Sequence, residues 1–109
     1  MSVSGDELRR LALALPGATE EDHHGKPSFR VGGRIFATLW DAATVNVMLD
    51  EAGIRTAVHD LPGACSERFW GKRLSAVAVD LGAIAPAELA ALLEDAWEHK
   101  APARLRPRP

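Results

Sequence analysis

Tyrosine is absent from this chain and cysteine occurs once, at position 65. A lone Cys65 excludes any disulfide or thiolate metal cluster within one chain, and fits a reducing, cytoplasmic setting. No apolar run approaches the ~18 residues that cross a bilayer, so no membrane partner is expected. The opening MSVSGDELRR lacks the basic-then-apolar layout of a secretory signal. Neither sign of charge dominates: 13 Lys and Arg face 15 Asp and Glu, a formal net charge of −2. That balance gives no global pull toward nucleic acid or acidic lipid, so the placement of charge matters more than its total. No internal repeat is visible, which excludes solenoids and propellers.

What is present is ordinary for a folded domain, with 47% hydrophobic and 26% charged residues over 109 positions. That length closes one core without staples, and a single domain over residues 1–101 is expected, followed by a basic tail at 102–109. Ser4 and Glu7 form a capping box ahead of Leu8, Leu11, Ala12 and Leu15, and Pro16-Gly17 stops that helix. The acidic stretch Glu20-Glu21-Asp22 suits an edge strand, where charge discourages stray pairing. Gly32-Gly33 fits both central positions of a two-residue hairpin turn, which predicts Val31 opposite Arg34 and Phe29 opposite Phe36. In that register Phe29, Val31, Phe36 and Trp40 share one face, and Ile35, Ala37 and Leu39 the other, so the second strand of the hairpin is central.

Val45, Val47 and Leu49 alternate in a further strand. Asp50 then caps a helix carrying Ile54, Ala57, Val58 and Leu61. The stretch SERFWGKRLSAVAVDLG predicts a second hairpin turning near Gly71, with Val77, Val79 and Leu81 along its return. Pro86 opens a final helix whose buried stripe is Leu89, Leu92, Leu93, Ala96 and Trp97. Helix, three or four strands, helix, two strands, helix: hairpin-length links make this an α+β domain with an antiparallel sheet and helices on one face. Trp40 and Trp97 are expected in the core, with Trp70 open to either place. After Lys100, three prolines alternate with Arg104, Arg106 and Arg108, which predicts an extended, mobile tail.

No spacing proves a chemistry. His23 and His24 would point to opposite faces of a strand, and Asp22 with His24 makes only a two-ligand corner, short of the three or four donors zinc wants. Gly25-Lys26-Pro27-Ser28 lacks the earlier glycine of a phosphate loop, and Pro27 stands where Ser or Thr should follow the lysine. No GxSxG occurs, and no site is outlined to activate Cys65 beside His59. An enzyme is not the expectation, and no cofactor is implied.

Cations, by contrast, gather. Lys26, Arg30 and Arg34 lie on the first hairpin, Arg68, Lys72 and Arg73 on the second, and Lys100, Arg104, Arg106 and Arg108 at the end. Exposed strand positions need polar residues anyway, and Arg30 and Arg34 beside a glycine turn also serve solubility and edge protection. If the cations converge, they offer a phosphate-binding side. Phe69-Trp70 beside Gly71-Lys72-Arg73 could stack on a base or enter the core.

The order of elements also resembles the MmcQ/YjbR family, over about Leu8 to Leu105. The resemblance is carried by Leu15-Pro16-Gly17 with Thr19-Glu20-Glu21, by Pro27-Ser28-Phe29-Arg30-Val31 with Arg34-Ile35-Phe36-Ala37, and by Gly71-Lys72-Arg73 before Val77-Ala78-Val79-Asp80. Asp95-Ala96-Trp97 closes it. The resemblance implies a double-wing fold, likened to the DNA-binding domain of a phage transcription factor, and members are commonly labelled DNA-binding. Leu74 departs from an aromatic common in the family, and Ala96-Trp97 from a Ser-Tyr pair. The expectation is a non-enzymatic protein that holds DNA weakly through phosphate contacts from Lys26, Arg30, Arg34, Lys72, Arg73, Arg104 and Arg106. The alternative is a protein-interaction or small-ligand module, with a homodimer joined through the apolar sheet face as one form.

Overall fold

The structure, a computed structural model, describes residues 2–106. It runs α1 (Gly5–Leu13), β1 (Thr19–His23), β2 (Lys26–Val31), β3 (Arg34–Asp41), β4 (Thr44–Val47), α2 (Glu51–Asp60), β5 (Cys65–Trp70), β6 (Arg73–Asp80) and α3 (Pro86–Lys100), with a 3-10 turn at Ala103–Leu105. The six strands form one antiparallel sheet in the order β1-β2-β3-β4-β6-β5. This is the α+β architecture expected, with the acidic β1 at an edge.

Local chemistry sets the ends of the elements. Ser4 Oγ accepts from the N–H of Glu7 while the Glu7 carboxylate accepts from the N–H of Ser4, closing the capping box of α1. Asp50 accepts from Gly53 N–H at 2.7 Å and starts α2. Pro86 opens α3, where it costs no hydrogen bond.

The helices cover one face of the sheet. Phe29, Val31, Phe36, Val45, Val47, Val77 and Val79 from the strands share a core with Leu8, Ile54, Leu89, Leu93 and Trp97 from the helices. Trp97 is buried as expected, and its indole N–H donates to the Pro16 carbonyl at 2.8 Å, tying α3 to the Pro-Gly turn.

Four details differ from the sequence reading. Val31 faces Arg34 as expected, but Phe29 faces Ala37, not Phe36, because β3 carries one extra residue at a bulge. One extra residue inverts the parity of everything beyond it. Phe36 and Ala37 are therefore both buried in the core, whereas Ile35, Thr38 and Trp40 stand on the helix-free face. Trp40 accordingly leaves the core and is 37% exposed. Secondly, β4 ends at Val47, and Leu49 lies beyond it. Thirdly, His24 adopts a left-handed turn conformation (φ 53°), so its ring meets that of His23 edge to face at 4.5 Å. Lastly, the segment after α3 folds back: Pro102 lies against Gly32, Leu105 reaches Gly17, and residues 103–105 turn once. Pro102 itself keeps the extended conformation, and apolar contacts at both glycines seat the turn that follows it. Arg108 lies outside the described residues.

Candidate nucleic-acid interface

Strand direction decides where the cations go. Because all neighbours in the sheet are antiparallel, the β2–β3 turn at Gly32-Gly33 and the β5–β6 turn at Gly71-Lys72 emerge at the same end. Arg34, Lys72 and Arg73 are exposed there. Lys100, at the close of α3, joins them: its amine is held below the usual lysine range by burial first and then by the charges of Arg34 and Arg73. The packing of Pro102 on Gly32 brings the following segment, with exposed Arg104 and Arg106, across the same end.

Among the described residues, no ion pair joins any of these six cations to a carboxylate. Two acids border the basin between β6 and α3, and both are engaged elsewhere: Asp50 caps α2, and Glu51 pairs with Arg55 at 3.6 Å. At β1 the charge of Glu20 is met by Arg9, at 2.6 Å.

The other two sequence candidates lie on the open sheet face. Arg30 turns away from the hairpin tip: its guanidinium donates to Ser28 Oγ at 3.2 Å and to the Asp22 carbonyl at 3.5 Å. Lys26 starts β2 at the opposite end of the sheet from the cation cluster. Its amine donates to the Trp40 carbonyl at 2.6 Å and sits 4.5 Å from the centre of the Trp40 ring. Arg68, not among the sequence candidates, places its guanidinium 5.2 Å from the same ring and donates to Asn46 Oδ1 at 3.2 Å. The bulge exposes Trp40 where both cations can reach it. Nothing local in the sequence signals that bulge.

A band of small or polar residues crosses the open face in register, Glu21-Ser28-Thr38-Asn46-Ala78-Ser66. Ser28, Thr38 and Asn46 are buried although no helix covers them. Around Thr38 and Asn46 a cavity of about 400 Å³ opens, walled by His23, His24, Ile35 and Met48, with Trp40 and Trp70 along it. Trp70 is 48% exposed and, with Met48, also borders the basic basin. The two surfaces are continuous.

Asp22 accepts from Gly25 N–H at 3.2 Å and so shapes the turn before β2. Among the described residues no group of three or more His, Cys, Asp or Glu side chains is placed to hold a metal. Cys65 is buried, and burial, followed by the charge of Glu88, pushes its thiol up, away from the reactive thiolate. No described helix is long and apolar enough to cross a membrane.

A Deinococcus radiodurans protein of solved structure, DR2400, carrying the family domain DUF419, is similar in fold: TM-score 0.72 at 20% identity, over 88% of this chain and 77% of that one. At that identity the likeness speaks to architecture. No curated protein matches the chain. The family model YjbR matches residues 13–99, which among the described residues contain every strand and all three α-helices save most of α1 and the last residue of α3. The chain therefore belongs to the YjbR family.

Proposed function

We propose that this protein is a non-enzymatic DNA-binding module that grips the phosphate backbone with its basic end. The observation carrying the reading is the meeting of Arg34, Lys72, Arg73, Lys100, Arg104 and Arg106, from four separate stretches of chain, with no carboxylate paired to them among the described residues. Like charges held together repel, and a polyanion that bridges them removes that cost. Arginines on turns suit bidentate contact with phosphate oxygens. Such contacts position a protein without reading sequence, so binding is weak and insensitive to base order. Arg30 and Lys26, whose donors are engaged by Ser28, Asp22 and Trp40, stand outside that grip.

Titration of a short labelled DNA, as duplex and as single strand, tests this at two salt concentrations. About six phosphate contacts predict an affinity loss on the order of 10³-fold between ~50 and ~200 mM salt. Replacing Arg34 and Arg73 together by Gln should lower the salt slope by about 2. No binding of either form at low salt removes the proposal.

A specific observation favours the alternative of a protein partner or a homodimer: Phe69 is 51% exposed beside Trp70 on the edge strand β5. Sedimentation across a concentration range discriminates. A tight dimer that loses its self-association on Phe69→Ser replacement assigns this edge to a second copy.

A further inference from the structure

We infer that the cavity on the open sheet face receives an unpaired nucleobase of a single DNA strand whose phosphates lie on the basic end. The inference rests on the DNA-binding reading and names the form of DNA that the site prefers.

Two features of the cavity point to a flat ligand. Its volume, about 400 Å³, falls within the roughly 300–1,000 Å³ of small-ligand sites. Its walls are largely apolar and aromatic, and half-exposed Trp70 offers a ring for stacking. Its floor crosses the polar band of the open face. Asn46 is 1% exposed and Thr38 9% exposed, both lining the cavity. The Asn46 oxygen accepts from Arg68 at 3.2 Å, and among the described residues no buried side-chain nitrogen or oxygen is without a hydrogen-bond partner. The surface open to a ligand is therefore chiefly apolar, which suits the face of a ring.

Continuity with the basic end selects the source of that base. Trp70 and Met48 border both the cavity and the basin that holds Lys72, Arg73 and Lys100. A strand with its backbone on those cations runs past Trp70 at the mouth of the cavity, whereas a duplex keeps its bases stacked and paired away from it. At the far wall Trp40 stands between Lys26 and Arg68.

The test compares three labelled probes of equal length at low salt: single-stranded oligothymidylate, the same backbone without bases, and a duplex. The single strand should bind about tenfold tighter than the other two and quench tryptophan fluorescence. Trp70→Ala should bring it down to the base-free level while leaving base-free binding unchanged. Thermal melts should show that variant folded. Equal binding of all three probes, unmoved by Trp70→Ala, overturns the cavity's role and leaves the phosphate contacts standing. Binding of none overturns both. Quenching by free thymidine monophosphate as strong as by the strand assigns the cavity to a free nucleotide and overturns the strand as its source.

Discussion

Trp40 shows how one misplaced parity changes the chemistry of a surface. On the open face its ring stands between Lys26 and Arg68, beside the buried Ser28, Thr38 and Asn46. Lys26→Met keeps the stem and removes the amine's hydrogen bond and ring contact, and should cost about 1 kcal/mol in chemical denaturation. The same change should leave DNA affinity nearly untouched, in contrast to a change at Arg73, because the Lys26 amine is already used internally. Asp41, just after Trp40, is held below the usual carboxylate range chiefly by the N–H of Ala43, which it accepts at 2.8 Å. A depressed carboxylate stabilises the fold above its unfolded pKa, and that contribution is lost as pH falls through the folded one. Asp41→Asn should therefore flatten the fall in stability below pH ~4, followed by denaturation at a series of acid pH values.

Turns and caps, taken as elements, were the most legible part of the chain. Ser4, Glu7, Asp50, Pro86 and Gly32-Gly33 act on backbone groups within a few residues, so their effect is written locally. The bulge in β3 and the docking of Pro102 were not legible. The first depends on how Phe36 and Ala37 both fit beneath the helices, and the second on two glycines far away in sequence. Gly32 and Gly33 separate the two kinds of cause. Both have positive φ (58° and 78°), and alanine at either should cost about 1–2 kcal/mol in backbone strain. A Cβ at Gly32 would also stand 2.9 Å from Pro102 Cδ, while Gly33 has open space. Gly32→Ala should therefore lower Tm more and speed amide exchange in the segment after α3, whereas Gly33→Ala should do only the former, and to a lesser extent.

Across the whole molecule, a net charge of −2 coexists with a cationic end. The cations themselves were legible as residues, but their convergence was not, since it follows from strand order and from α3 closing beside both turns. It also explains why Lys26 separates from the group: β2 begins at one end of the sheet and turns at the other. Repulsion at the basic end predicts a trade of stability for binding. Arg73→Gln should raise stability by about 0.3–1 kcal/mol, the scale of one exposed charge interaction, while weakening DNA binding. Paired thermal melts and titrations check both signs.

The most direct test is to titrate DNA into isotope-labelled protein and follow the backbone amide resonances. The largest shifts should fall together on Arg34, on Gly71 to Arg73, on Lys100 and on Arg104. Shifts confined to the acidic β1 edge or to the exposed side of α2, with those four stretches unmoved, would contradict binding through the basic end.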